Sequence, residues 1–259
     1  MSSARRRLDL EIVRRGLAPS RERAQALILA GRVRVALVER PKAGAQVSEQ
    51  TEIEVDAEEA WVSRGALKLL GALDSFRVSS AERVCLDIGS STGGFTEVLL
   101  SRGAARVYAF DSGLGQLHER LRQDPRVILS ERTNARHLKA DAIPERPTLA
   151  TMDVSFISIL KILPALKDVL AEGADVVSLV KPQFEAGRAE VGSGGIVRDE
   201  SVHVKVMLKV AEGASALGFR VLAVCRSRID GVGGNREFFL HATAPGRGGE
   251  GGVTMPGPL

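Results

Sequence analysis

The 259-residue chain reads as an α/β protein. It should hold a mostly parallel sheet of seven strands whose last strand is antiparallel, behind a small N-terminal α+β domain. Three observations point there. From about Trp61 to Ala244, strand-like and helix-like stretches alternate, which implies a parallel sheet covered on both faces. The first strand of that stretch ends in an acid and runs into a glycine-rich junction with the next helix. The leading sixty residues follow another pattern and split by charge. Residues 1–40 carry ten Arg and no Lys against four acids, whereas residues 41–60 carry one Lys against six acids.

Composition limits the alternatives. Hydrophobic residues make up 44% and charged residues 26%, which provides enough apolar surface for a core and argues against disorder throughout. No stretch approaches the roughly 18 apolar residues of a membrane span. No apolar signal core follows the basic start, Met1 to Arg7. Cys85 and Cys225 lie in separate apolar runs, 140 positions apart, and suit neither a disulfide framework nor a zinc site. A reducing cytoplasm and no metal are the expectation.

In chain order, residues 1–60 should hold helices at Leu8–Arg15 and Arg21–Ala30 and strands at Val33–Val38 and Glu52–Val55. Leu8, Ile12, Ala24, Leu27 and Ile28 recur at helical spacing and should face inward. In residues 61–244 the expected strands are Arg83–Ile88, Arg106–Phe110, Val127–Ser130, Leu149–Asp153, Asp175–Val180, Arg220–Arg226 and Glu237–His241. The expected helices are Ala66–Phe76, Gly94–Arg102, Leu114–Arg122, Ser158–Leu170 and Asp199–Leu217. The last two strands have only a glycine-rich loop between them, so they should pair antiparallel. Residues 245–259 hold six Gly and three Pro and are expected to be a disordered tail.

The junction after Asp87 reads Gly89-Ser90-Ser91-Thr92-Gly93-Gly94-Phe95 and opens a helix. Glycines there let a ligand approach the backbone, and a helix start offers free N–H groups. The next strand ends in Asp111, a position from which a carboxylate can accept from two ribose hydroxyls. The glycine spacing departs from the dinucleotide pattern G-x-G-x-x-G. It suits a nucleoside cofactor without a pyrophosphate, namely S-adenosylmethionine. A plain structural turn with two strand-ending acids is the alternative.

Lys68, Asp153, Lys181 and Glu237 each sit at the start or end of an element. Ligands of open α/β sheets bind at the carboxyl ends of the strands, where Asp153 and Lys181 should be neighbours. Glu237 should reach the same edge from the antiparallel strand, and Lys68 from the preceding helix. Singly, each is an ordinary strand end or turn residue. Together they suit methyl transfer to a ribose hydroxyl, which needs in-line geometry and help in removing a poorly acidic proton, but no covalent nucleophile. Lys181 is the candidate activator and Asp153 its orienter, with Lys68 and Glu237 balancing charge behind them. The segment Asp153-Val154-Ser155-Phe156 lacks the prolines of exocyclic-amine methylation. The mid-strand cysteines do not suit a carbon methylation that needs a thiolate.

Several segments carry a resemblance: Val62-Ser63-Arg64-Gly65, Leu86-Asp87-Ile88-Gly89, Ser91-Thr92-Gly93-Gly94-Phe95-Thr96, Glu131-Arg132-Thr133-Asn134-Ala135-Arg136, Asp153-Val154-Ser155-Phe156-Ile157-Ser158, Leu179-Val180-Lys181-Pro182-Gln183-Phe184-Glu185 and Gly234-Asn235 with Glu237-Phe238. On these, the chain to about Thr243 resembles the TlyA family of ribosomal RNA ribose methyltransferases, some of them first named hemolysins. The resemblance implies a Rossmann-like, FtsJ-like methyltransferase domain with a Lys-Asp-Lys-Glu tetrad at Lys68, Asp153, Lys181 and Glu237. It implies an S-adenosylmethionine site at Asp87 and Gly89 to Phe95, with Asp111 and Asn134 near the nucleoside. The acceptor it implies is the 2′-hydroxyl of cytidine in 16S or 23S ribosomal RNA within ribosomal subunits.

The leading domain resembles the RNA-binding module of ribosomal protein S4. Arg5, Arg7, Arg14, Arg15, Arg21, Arg23, Arg32 and Arg34 are its candidate phosphate contacts, with the acidic stretch to Ala60 turned away from RNA. No aromatic residue precedes Trp61, so RNA shape rather than unstacked bases should be recognised. Residues 182–198 read as a lid over the acceptor, or as a plain surface loop. A non-catalytic ribosome-assembly factor and a membrane-lytic protein are the competing functions. No strongly amphipathic segment favours the second.

Overall fold

The structure, a computed structural model, describes residues 5–18, 20–29, 31–36, 38, 41–55 and 61–246. The chain divides into two compact units, Met1–Ala60 and Trp61–Leu259. All of the expected tail except Pro245 and Gly246 lies outside the described residues.

In the first unit, β1 (Arg6–Arg7) leads into α1 (Leu8–Arg14), followed by α2 (Arg21–Leu29), β2 (Val33–Val35), β3 (Gln46–Val47) and β4 (Ile53–Val55). β1 pairs antiparallel with β3, and β2 with β4. The apolar stripes of the two helices close on the strands. Leu8, Ile12, Ala24, Leu27, Ile28, Val33, Val35, Val47 and Ile53 form the core. Burial of a side chain such as Leu8 or Ile12 is worth about 2 kcal/mol. The expected strand to Val38 stops at Val35, because Val38 N–H turns back to the Val35 carbonyl at 3.0 Å.

In the second unit α3 (Gly65–Phe76) precedes β5 (Val84–Ile88), α4 (Gly94–Ser101), β6 (Arg106–Phe110), α5 (Glu119–Arg122) and β7 (Val127–Ser130). Then come β8 (Leu149–Met152), α6 (Leu163–Val169), β9 (Asp175–Val180), α7 (Pro182–Glu185), α8 (Glu200–Ala216), β10 (Arg220–Arg226) and β11 (Phe238–Thr243). The sheet order is β10-β11-β9-β8-β5-β6-β7. β11 runs antiparallel to both neighbours, and the other neighbouring pairs are parallel. The expected seven-stranded mixed sheet is therefore present. β11 is inserted between β9 and β10, which pairing of the last two strands alone did not require.

Alternation along the strands builds two cores. Leu86, Ile88, Tyr108, Phe110 and Met152 face α6 and α8. Cys85, Val107, Leu149, Val177, Leu179 and Phe239 face α3 and α4. After β7 the chain returns to place β8 on the other side of β5, with Met152 beside Ile88. That reversal opens a crevice at the carboxyl ends of β5 and β8, where ligands of such sheets bind. Among the described residues, no helix is long and apolar enough to cross a membrane.

The expected helix at Leu114–Arg122 shrinks to its last turn, Glu119–Arg122. Gly115 has φ 68°, outside the helical range, and the Gly113 N–H is taken by Asp111 Oδ1 at 2.7 Å. Leu117 and Leu121 still bury, as the apolar spacing suggested. The expected helix at Ser158–Leu170 splits into a 3₁₀ turn at Ile159–Lys161 and α6.

Candidate active site

The loop between β5 and α4 is shaped by backbone approach. Gly89 has φ 80°, and a Cβ there would lie 2.2 Å from the Asp153 carbonyl oxygen, so glycine keeps the ends of β5 and β8 in contact. A Cβ on Gly94 would lie 2.2 Å from Ser63 Oγ, so the starts of α3 and α4 touch. Gly93 packs under Leu117 and Leu121. These contacts bring the segment around Lys68 to the loop.

Asp87, expected at the cofactor, lies beneath the glycine loop. Its strand position turns it toward the α4 face, where it is fully buried. Thr96 Oγ1 donates to it at 2.6 Å and Thr151 Oγ1 at 3.0 Å. Burial pushes its carboxyl up to about 6, against the pull of those two hydroxyls. Asp87 therefore braces the loop from beneath and lines neither cavity beside it.

Asp111 stands at the tip of β6. Its Oδ2 accepts from the Ser91 N–H at 2.7 Å and its Oδ1 from the Gly113 N–H at 2.7 Å. It lines a cavity of about 380 Å³ with Ser91, Gln116, Thr133, Asn134 and Ile157. Asn134 Oδ1 accepts from the Arg136 N–H at 3.1 Å, which leaves its amide nitrogen available.

A larger cavity of about 710 Å³ adjoins it. Gly89, Ser91, Asp153, Ser155 and Phe156 line both. Ser90, Thr92, Gly94 and Phe95 line only the larger one, as do Lys68, Lys181 and Glu237. All four charged residues singled out in the sequence thus border one cavity, although they come from α3, the end of β8, the end of β9 and the start of β11. They form two ion pairs. Lys68 Nζ donates to Glu237 Oε2 at 2.5 Å, with Glu237 almost wholly buried. Lys181 Nζ lies 2.6 Å from Asp153 Oδ1 and donates to Ser155 Oγ at 3.0 Å. Asp153 Oδ1 is buried, and Lys181 is the cation that balances it. Gly231 leaves room for Glu237, since a Cβ there would fall 2.1 Å from Oε1.

Sequence reasoning assigned no role to Phe156, Gln183, Phe184 or Asn235, which also line the larger cavity. Phe156 is 90% exposed at φ 64°, a conformation that costs a bulky residue about 1 kcal/mol or more. Its ring lies 5.0 Å from that of Phe184. An aromatic three residues past Asp153 was visible in the sequence, but its exposure was not. Buried Asn235 ties the glycine-rich loop of residues 192–197 to the start of β11. Its Nδ2 donates to the Gly195 carbonyl at 3.0 Å and its Oδ1 accepts from the Val197 N–H at 3.0 Å. Within the segment read as a lid, Asn235 thus tethers Gly195 and Val197, and Gly194 and Gly195 line the cavity.

The arginines of the first unit depart from a free phosphate-facing row. Asp9 and Glu11 are buried at the start of α1 and gather them. Arg7 and Arg21 bind Asp9, joined by Gln25. Arg6, Arg14 and Arg15 bind Glu11. The Arg7 hydrogen bond leads in holding Asp9 well below the carboxylate range, and Arg14 leads in holding Glu11 at about 2. Arg15 also caps the carbonyls of Ser48, Glu49 and Thr51, which makes it a structural clamp. Arg14 reaches Glu49 and Arg34 reaches Glu54, so these acids of the 41–60 stretch lie against arginines instead of facing away from them. Arg7, Arg14 and Arg21 remain roughly half exposed, and Arg5 is exposed. The side chain of Arg23 lies outside the described residues; Arg32 is partly buried.

Known proteins match this layout. The FtsJ-like methyltransferase family matches residues 61–244, and the S4 domain matches residues 6–50. The 16S/23S rRNA (cytidine-2'-O)-methyltransferase TlyA of Mycobacterium tuberculosis is 52% identical over 238 residues, 91% of this chain and 89% of that protein. Hemolysin A of Brachyspira hyodysenteriae is 40% identical, covering 91% of this chain and 98% of its own. A solved structure from Streptococcus thermophilus, named as a hemolysin, shares 42% identity with a TM-score of 0.72 over 94% of this chain and 90% of that one. The chain therefore belongs to the TlyA family, with an FtsJ-like methyltransferase domain behind an S4 domain.

Proposed function

We propose that the protein transfers the methyl group of S-adenosylmethionine to the 2′-hydroxyl of a cytidine in 16S or 23S ribosomal RNA. The observation that carries this reading is the meeting of Lys68, Asp153, Lys181 and Glu237 in a cavity that shares a wall with a nucleoside-sized one. The pattern of unpaired atoms fits the donor. Ser90 Oγ is buried without a partner in the loop between β5 and α4. Asp111 accepts only one N–H on each oxygen, which leaves lone pairs for ribose hydroxyls. Ser90, Ser91, Thr92 and Gly94 would hold the amino-acid part, and Asp111 and Asn134 the nucleoside. When bound, S-adenosylmethionine supplies a methyl group on a sulfonium, so no covalent enzyme intermediate is needed.

The residues then divide the work. Lys181 Nζ holds the ribose 2′-oxygen, and the Lys181–Asp153 pair takes its proton as the oxygen–methyl bond forms. Asp153 Oδ1, 2.6 Å from Lys181 Nζ, is the carboxylate partner of that pair. Lys68 and Glu237 neutralise each other and hold the wall opposite. The exposed ring of Phe156, backed by the half-buried Phe184, offers an apolar shelf for a base drawn out of its stack. In the first unit, Arg5, Arg7, Arg14, Arg21 and Arg34 keep surface for phosphate contacts, which position RNA without reading sequence.

Transfer of a radiolabelled methyl group to isolated small and large ribosomal subunits, followed by primer-extension mapping of the modified ribose, tests the reading. Labelling of a cytidine ribose is expected. No labelling of either subunit, with donor binding intact, would instead favour a non-catalytic assembly factor.

A further inference from the structure

Among the described residues that line the larger cavity, Ser90 Oγ and Gln183 Oε1 are buried with no hydrogen-bond partner, and Asp153 Oδ1 has only its ion pair with Lys181. A buried acceptor left unpaired is costly, and native proteins keep few of them. Ser90 sits on the donor side, and Asp153 faces the hydroxyl that loses its proton. Gln183 Oε1 has no such duty. The reaction as written leaves it an empty acceptor.

Its position narrows what could fill it. α7 starts immediately after Lys181, so Gln183 follows the hydroxyl-binding lysine by two residues and precedes Phe184 by one. Lys181 Nζ is 6.0 Å from the centre of the Phe184 ring, which in turn meets Phe156. Gln183, Phe184 and Phe156 line the same cavity as Lys181, so a nucleoside whose 2′-oxygen rests on Lys181 would have these rings and Gln183 as near neighbours. The edge of cytosine carries an exocyclic amine, which donates. Uracil carries a carbonyl at the same place, whose lone pairs would face those of Oε1.

We propose that Gln183 is a specificity-determining residue whose Oε1 accepts a hydrogen bond from the exocyclic amine of the target cytosine. With Oε1 toward the base the amide accepts from cytosine and repels the uracil carbonyl; turned over, it would present Nε2 and prefer uracil, so the base preference reports the amide's orientation. An acceptor shut off from water cannot fall back on solvent when the wrong base enters, so the mismatch is felt in full. This inference rests on the reading of the site as a ribose methyltransferase.

The test compares kcat/KM on ribosomal subunits carrying cytidine or uridine at the mapped position, with the full-length protein. Wild type should favour cytidine. Gln183→Ala should lower the cytidine-to-uridine ratio by about tenfold or more, through loss on cytidine. Gln183→Met fills a similar volume without an acceptor and should do the same, which keeps the test open if the alanine variant misfolds. Equilibrium dialysis with tritiated S-adenosylmethionine should show unchanged donor binding in both variants. An unchanged ratio, or equal loss on both bases, overturns the assignment of Gln183. Failure of wild type to methylate any ribose overturns the reading of the site instead.

Discussion

Asp9 and Glu11 of the first unit and Asp87 of the second are buried in opposite ways. In the first, Asp9 and Glu11 are ringed by arginines that stay partly in water, and both are held well below the usual carboxylate range. In the second, Asp87 is buried among two threonine hydroxyls with no cation beside it, and burial pushes it up to about 6. A guanidinium repays a carboxylate for leaving water, whereas a hydroxyl does so only in part. The first unit thus uses buried acids to gather a basic surface in place. The second uses one to brace a loop, and sets four of its cleft charges as the paired Lys68–Glu237 and Lys181–Asp153.

The largest expected effect separates chemistry from binding. Lys181→Ala should lower methyl transfer by about 10²- to 10⁴-fold, while RNA retention on filters stays at the wild-type level. Loss of RNA binding in that variant would mean that the second unit also anchors the RNA through this lysine. Next, Gly89→Ala forces a Cβ into the Asp153 carbonyl at a left-handed φ. Donor affinity measured by equilibrium dialysis should fall about 100-fold, and amide protection of the first unit should not change.

A smaller effect is expected from removing a buried acid of the first unit. Asp9→Ala leaves Arg7, Arg21 and Gln25 without their shared acceptor and should cost that unit about 2 kcal/mol. Hydrogen exchange of α1 amides in the whole chain would show it. If protection is unchanged, the arginines are held by something other than the carboxylate.

The smallest effects are in pH dependence, and the two units should differ in sign. Glu11 is depressed from 4.5 to about 2, so its contribution is complete above pH 4.5 and is lost as pH falls through about 2. Asp87 is raised from 3.8 to about 6, so its charged form costs stability above pH 6, and that cost is relieved as pH falls toward 3.8. Between pH 5 and pH 7 this amounts to on the order of 1 kcal/mol. Calorimetric unfolding should therefore show a smaller difference between these pH values in Asp87→Asn than in wild type. Glu11→Gln should flatten only the acid limb.

Much of the second unit could be read from periodicity. Strand ends at Ile88, Phe110 and Val180 fall where alternation predicts, and the acids and lysines beside them mark the ligand edge. The helix expected at Leu114–Arg122 shows where such reading stops. Leu117 and Leu121 bury but Leu114 does not, because Gly115 and the carboxylate of Asp111 break the backbone of its first half. Asp87 is instructive in the same way. A strand-ending acid beside a glycine loop looks like a ligand contact. Which face it points to depends on the pleat, and what it meets depends on Thr96 and Thr151, the latter distant in sequence. Asp9 and Glu11 count in the sequence only as two charges against many arginines.

The sequence by itself determined the local matters: which segments are strand or helix, where the chain turns, and which polar residues sit at the ends of elements. These follow from side-chain spacing and backbone preference within a few residues. Only the tertiary structure decided that β8 lies beside β5, that β11 enters between β9 and β10, and that Lys68 meets Glu237 across 169 positions. Strand pairing and ion pairing join residues far apart in the chain, and their free energy exists only once the whole sheet has closed.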